Sequence, residues 1–235
     1  MRAPVFEAVL FDLWGTLVPP FPKAEHGAAL RRSAELLGLP AEHVRRCWGT
    51  LGPRRFRGDF ATVADIFAAI ARERGMDPGP DALGRAEAAY LDFTRGRLRP
   101  LSGTEAALVW MRARGLRLAV VSNCAPDVPQ VWEGIGLAAH FAACAWSCRV
   151  GVSKPESGLY CHALSALGAA PERTLYVGDG SDRELTGARD CGMHPVLLAV
   201  DASGAYDDRR EDVESWRGPV LSALSELPAF LTGTT

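Results

Sequence analysis

Lysine is nearly missing from this chain. Lys23 and Lys154 are the only two among 26 basic residues, and the rest are arginines. The bias as a whole reads as genome composition. There is no excess of either charge, since 26 basic residues face 28 acidic ones for a formal net charge of -2. That balance argues against a nucleic-acid binder, which carries a basic stripe or patch. No stretch approaches the roughly 20 apolar residues needed to cross a bilayer. The start of the chain lacks the basic-then-apolar pattern of a secretory signal, so a cytoplasmic protein with no membrane partner is expected. Cysteine is present six times but never as Cys-x-x-Cys. Structural thiols in a reducing compartment are the expectation, with no disulfide framework or zinc knuckle.

What is present describes an ordinary globular chain. Its 235 residues are 48% hydrophobic and 23% charged. That length suffices for one large core, or a core with a smaller inserted unit. The apolar run Val5–Phe11 includes Glu7, ends at Asp12 and reads as a buried parallel strand. A linker rich in proline follows at Pro19, Pro20 and Pro22. From about residue 24 to 96 only helical periodicity is found. Leu30, Ala34 and Leu37 share one face, and Val63, Ile66, Phe67 and Ile70 have the spacing of an amphipathic helix. Leu83 and Tyr90 mark a third.

After Leu98-Arg99-Pro100 the texture changes to alternation of helix and strand. A helix over 104–114 stops at Gly115. Strands are expected at 116–121, 142–147, 174–177 and 195–200. Helices are expected around Val128 to Ile135, around Tyr160 to Leu167, over 182–191 and over 219–231. Such alternation implies a parallel sheet covered on both faces. Sheets of this kind bind ligands beyond the carboxyl ends of their strands.

Polar groups gather at those ends. The first strand runs into Asp12-Leu13-Trp14-Gly15-Thr16, the second into Ser122-Asn123, and a later one into Gly178-Asp179-Gly180. Lys154-Pro155 precedes a helix between the last two. Singly, each is an ordinary turn, cap or solvated residue. Together they supply the parts of a phosphoryl-transfer site. A carboxylate attacks phosphorus. A second carboxylate helps hold a hard cation such as magnesium, which offsets the repulsion between two anions. A hydroxyl and a lysine hold the phosphoryl oxygens.

The order of these pieces resembles the haloacid dehalogenase superfamily. Phe11-Asp12-Leu13-Trp14-Gly15-Thr16-Leu17 is similar to its first motif, and Val121-Ser122-Asn123 to the second. Gly151-Val152-Ser153-Lys154-Pro155-Glu156 is similar to the third, and the segment from Val177 through Asp179 and Glu184 to Ala188 to the fourth. The resemblance implies an α/β fold, a Rossmann-like parallel sheet formed by residues 1–17 and 98–235. It also implies an all-helical cap inserted at 18–97. Carried over by position, Asp12 is the nucleophile and a metal ligand, joined by the Trp14 carbonyl, Asp179 and Glu184 around Mg2+. Thr16, Ser122 and Asn123 touch the phosphoryl group or order the loop. Lys154 bridges Asp12 and a small anionic substrate. The protein is expected as a monomer or homodimer.

One position departs from the family's phosphatases. They carry a second Asp two residues after the nucleophile, the general acid for the leaving oxygen; here that residue is Trp14. The superfamily's dehalogenases also lack this acid, and Tyr160 falls where they have a tyrosine. Asp179 points the other way, because metal-free dehalogenases have small neutral residues there. The reading adopted is a Mg2+-dependent phosphatase that lacks the usual acid. A 2-haloacid dehalogenase, a phosphonate-cleaving enzyme using Lys23, and a non-catalytic protein that binds a phospholigand are the alternatives. The cap's basic residues include Arg31, Arg32, Arg45, Arg46, Arg54, Arg55 and Arg57, and nothing in the sequence ranks them. Trp48, Phe56 and Phe60 are placed either in the cap's own packing or in the cleft below it.

Overall fold

A computed structural model describes residues 6–206 and 209–233. Val5, at the head of the first apolar run, lies outside them. The first strand, β1 (Ala8–Phe11), is buried on both faces. Val9 and Phe11 enter one apolar cluster, while Ala8 and Leu10 enter another on the opposite face. This is the two-residue alternation of a strand with both faces covered. The chain then forms five helices without an intervening strand: α1 (Lys23–Leu37), α2 (Ala41–Thr50), α3 (Gly52–Phe56), α4 (Val63–Arg72) and α5 (Gly79–Arg97). Leu30, Val44, Trp48, Ile66, Phe67 and Tyr90 pack them around a third apolar cluster.

The alternating part begins with α6 (Thr104–Arg112), β2 (Arg117–Ser122), α7 (Asp127–Val131) and β3 (Ala143–Trp146). It continues through α8 (Ser147–Val150), α9 (Ser157–Leu167), β4 (Thr174–Gly178), α10 (Glu184–Asp190), β5 (His194–Leu198), β6 (Val220–Leu221) and α11 (Leu227–Thr232). The strands form one sheet in the order β3-β2-β1-β4-β5-β6, and every pairing is parallel. This is the Rossmann-like α/β architecture expected. β1 sits at its centre, so Asp12 emerges between the ends of β2 and β4.

Three expected elements differ. The helix expected over 219–231 is instead the edge strand β6, a 3-10 turn at Leu224–Glu226 and the short α11. Val220 and Leu221 extend the sheet, with Leu197 N–H donating to the Pro219 carbonyl and Ala199 N–H to that of Leu221. The helix expected from Val128 to Ile135 is α for one short segment and then 3-10, in a stretch containing Pro129, Gly134 and Gly136. The 182–191 helix is also broken. Asp182 and Arg183 adopt left-handed φ values of 53° and 52°, and regular helix starts only at Glu184. Asp212, from a later loop, accepts from the Leu185 and Thr186 N–H groups there at 2.8 and 3.2 Å. No described helix is long and apolar enough to cross a membrane.

Candidate active site

The ends of β1, β2 and β4 converge where the sequence placed them. Asp12, Ser122 and Asp179 are all buried, as are Thr16, Lys154 and Glu184. Lys154, brought in ahead of α9, donates to Asp12 Oδ1 at 2.5 Å and to Glu184 Oε2 at 2.6 Å. Burial pushes its ammonium down, but the charges of Asp12 and Glu184 outweigh burial and hold it well above its ordinary value. Lys154 is therefore a fixed cation. Glu184 is fully engaged: Oε2 also accepts from the Tyr176 hydroxyl at 2.7 Å, and Oε1 from the Gly180 N–H at 3.0 Å.

The other half of Asp12 is different. Its Oδ2 is buried and accepts no hydrogen bond, and the same holds for the hydroxyls of Thr16 and Ser122. Orphaned buried polar atoms are costly and call for a partner. A phosphoryl group or cation at this place supplies one. Asp12, Asp179 and Glu184 each bring a carboxylate oxygen within 4.8 Å of the others. Asp179 Oδ2 has no well-aligned hydrogen bond, although it lies 2.7 Å from Arg210 Nε as an ion pair. Burial, then the neighbouring Asp12, pushes the Asp179 carboxyl up to about 6, with Arg210 opposing. Asp12 Oδ2 and Asp179 Oδ2, hard oxygen donors without a well-aligned hydrogen bond, match the requirements of Mg2+, with Glu184 close behind them. The loop after β1 is shaped to this carboxylate. Gly15 has φ +79°, and a Cβ there would overlap Asp179 Oδ2, so only glycine lets the backbone come so close.

Asn123 lines the cleft, but its amide is spent on neighbouring loops. Oδ1 accepts from Lys154 N–H at 2.8 Å, and Nδ2 donates to Asp182 Oδ2 at 2.7 Å. It orders the loop, one of the two roles expected of it. Tyr160 is fully buried and donates to the Glu184 carbonyl at 3.0 Å, away from the cleft lining. Its position in the sequence therefore does not give it a place at the reacting atoms.

Above Asp12 lies a cavity of about 280 Å³, closed on one side by the helical insertion. Trp14, Phe21, Trp48, Phe56 and Tyr90 line it; Phe60 packs inside the helical cluster instead. Among the arginines of the insertion, Arg55 alone lines it. His26, Asp127 and Arg210 also contribute, none of which the sequence had marked. The signal for Arg55 was its i, i+7 relation to Trp48 on neighbouring short helices, visible only once α2 and α3 are known.

The profile of the haloacid dehalogenase-like hydrolases matches residues 6–192, most of the chain. The chain belongs to this family. It is 30% identical over 217 residues to the glyceraldehyde 3-phosphate phosphatase of Methanopyrus kandleri, which covers 87% of both chains. It is 40% identical over 180 residues to the phosphoserine phosphatase of Thermus thermophilus, covering 76% of this chain and 67% of that one. A 2-haloacid dehalogenase from Pseudomonas syringae pv. Tomato superposes with a TM-score of 0.72 at 22% identity, covering 98% of this chain and 100% of the other. That likeness speaks to the haloacid dehalogenase-like fold alone. The chain is a hydrolase of this family, and its named relatives favour phosphatase over dehalogenase activity.

Proposed function

We propose that the protein is a Mg2+-dependent phosphatase acting on a small phosphorylated metabolite through an aspartyl-phosphate at Asp12. The observation that carries this reading is the asymmetry of Asp12: one oxygen is clamped by Lys154, and the other is buried, unpaired and beside Asp179. Asp12, Asp179 and Glu184 bring three buried carboxyl groups against two cations, Lys154 and Arg210, and a divalent cation would offset the excess of negative charge. The phosphatase relatives support the same choice.

Asp12, Asp179 and the Trp14 carbonyl would hold the cation, with Glu184 behind them. Bound there, it neutralises charge and polarises the phosphoryl group. Asp12 Oδ2 attacks phosphorus, and the bond to the leaving oxygen breaks with its electron pair. Lys154 holds the nucleophile and a phosphoryl oxygen, and the Ser122 and Thr16 hydroxyls donate to others. Water then attacks the aspartyl-phosphate, giving phosphate and free Asp12. Residues 18–97 act as a cap over a core made of 1–17 and 98–235, shutting water out of the cavity.

Trp14 stands where the general acid is expected, and an indole N–H does no acid-base work near neutral pH. Losing such an acid costs about 10²–10⁴-fold in rate. The same residue supports the second reading, carbon–halogen cleavage, because a halide leaves without a proton. Release of phosphate and halide, with and without Mg2+, separates the two. Acetyl phosphate, an activated aryl phosphate and 2-haloacids are the substrates. Mg2+-dependent phosphate release, abolished by Asp12→Asn, is expected. Halide release without metal would reject the phosphatase reading. Trp14→Asp should narrow the rate gap between activated and unactivated phosphate esters.

A further inference from the structure

Arg55 poses a problem that the reaction at Asp12 does not solve. It is 5% exposed, on the cap side of the cavity. Its guanidinium stacks 4.4 Å from the Trp48 ring and 5.3 Å from that of Phe56, and one terminal nitrogen donates to the Trp48 carbonyl at 3.1 Å. Its Nε is buried with no hydrogen-bond partner. Among the described residues it makes no ion pair. Asp127 in the same cavity attracts it, but burial pushes that carboxyl up to about 6 and the two form no close ion pair. A buried guanidinium without a paired counter-charge is unfavourable, and its planar fork matches a carboxylate. Lys154, the other buried cation of the cavity, is already neutralised by Asp12 and Glu184.

Aromatic rings make up much of the same cavity's lining, Trp14, Phe21 and Tyr90 among them. Flat rings stack or meet edge-on with such walls. At about 280 Å³ the cavity lies at the small end of small-molecule sites, a size that suits one ring with a substituent. Trp14 adds an independent chemical constraint. With no acid at that position, the leaving oxygen must depart as an anion. A phenol has a pKa near ~10, against about 15.7 for water, so a phenoxide leaves far more easily than an alkoxide would.

Resting on the phosphatase reading above, we propose that the substrate is an aryl phosphate monoester whose ring carries a carboxylate, and that Arg55 is the residue that selects it by taking that carboxylate. In the transfer step the Asp12 Oδ2–phosphorus bond forms as the phosphorus–aryl oxygen bond breaks. The electron pair leaves on the phenoxide, which takes its proton from water. Arg55 touches only the far end of the leaving group, so it sets specificity without joining the bond changes.

Initial-rate hydrolysis in Mg2+ tests this with phenyl phosphate, 4-carboxyphenyl phosphate and its neutral isostere 4-carbamoylphenyl phosphate. A charge-assisted hydrogen bond of the expected strength favours the carboxylate ester about 10- to 100-fold in kcat/KM over both others. Arg55→Gln should collapse that ratio to near one. Should Arg55→Gln not fold, the comparison of carboxylate with carboxamide on the unsubstituted enzyme decides alone. Equal turnover of the three esters, or a ratio that survives Arg55→Gln, overturns the assignment while leaving the phosphatase standing. No phosphate release from any ester or from acetyl phosphate overturns the phosphatase reading, and the selection of substrate falls with it.

Discussion

His26 and Asp127 face one cavity from opposite sides and answer pH in opposite senses. Burial, with the nearby Arg55 charge, pushes the His26 imidazole down from 6.5 to about 4. Between those values the unfolded chain holds a proton that the folded chain refuses, so this group makes stability rise with pH. Burial pushes the Asp127 carboxyl up from 3.8 to about 6, against a hydrogen bond from Thr94. Here the folded chain keeps a proton the unfolded chain has lost, so stability falls as pH rises through that window. Each shift corresponds to roughly 3 kcal/mol. Urea titrations at a series of pH values should show His26→Gln gaining on the parent as pH drops from 6.5 to 4. Asp127→Asn should gain on the parent as pH climbs from 4 to 6. A difference that stays flat with pH would contradict the corresponding burial argument. At this scale the sequence was most informative where strand ends restrict choice. Asp12, Ser122 and Asp179 were legible because a polar residue at the end of a buried apolar run lies at the sheet's ligand edge, and Lys154 because it stands ahead of a helix between two of those ends. Arg55 was not, because the many arginines of the insertion look alike until helix contacts bury one of them. Tyr160 misled for a similar reason: spacing along a helix gives the face of a residue but not what that face meets.

Among the elements, α4 has the most complete start. Thr62 accepts from Asp65 N–H at 3.1 Å, and Asp65 accepts from Thr62 N–H at 2.9 Å, a reciprocal capping box. Thr62→Ala should lower unfolding free energy by about 1 kcal/mol without altering the active-site geometry, as a denaturant midpoint would show. The strands and the helical insertion were readable from periodicity, because both of their patterns repeat over many residues. The broken entry to α10 was not. Its sequence is compatible with helix throughout, and the break arises from tertiary demands: Glu184 must reach Lys154 and Tyr176 while Asp212 caps the following amides. The failed terminal helix has a related cause. Val220 and Leu221 gain more as a sheet edge than as a helix start beside Pro219, and only the position of β5 reveals that option.

The described molecule has an apolar cluster on each face of its sheet and a third in the helical insertion, with a cavity at the seam between sheet and insertion. Two contacts across the seam differ sharply in surroundings. Arg57 and Glu156 pair at 2.6 Å with both side chains about half exposed. The Thr94 hydroxyl donates to Asp127 Oδ2 at 2.8 Å with both residues buried. Glu156→Gln should therefore shift stability by less than about 1 kcal/mol. Thr94→Val should cost about 1–3 kcal/mol, since it strands a buried carboxyl oxygen. Equilibrium unfolding of the two variants side by side checks the ranking, and a larger loss from Glu156→Gln would reverse it.

The scarcity of lysine has a practical side. Lys23 is exposed at the head of α1, whereas Lys154 is walled in and held as an ammonium by its two carboxylates. Amine-reactive reagents need an accessible, uncharged amine, so among lysines they will find Lys23 and pass over Lys154. A dye, a biotin or a resin can thus be attached at a single lysine without touching the machinery around Asp12. The reactive handle and the clamped amine are sorted by burial alone.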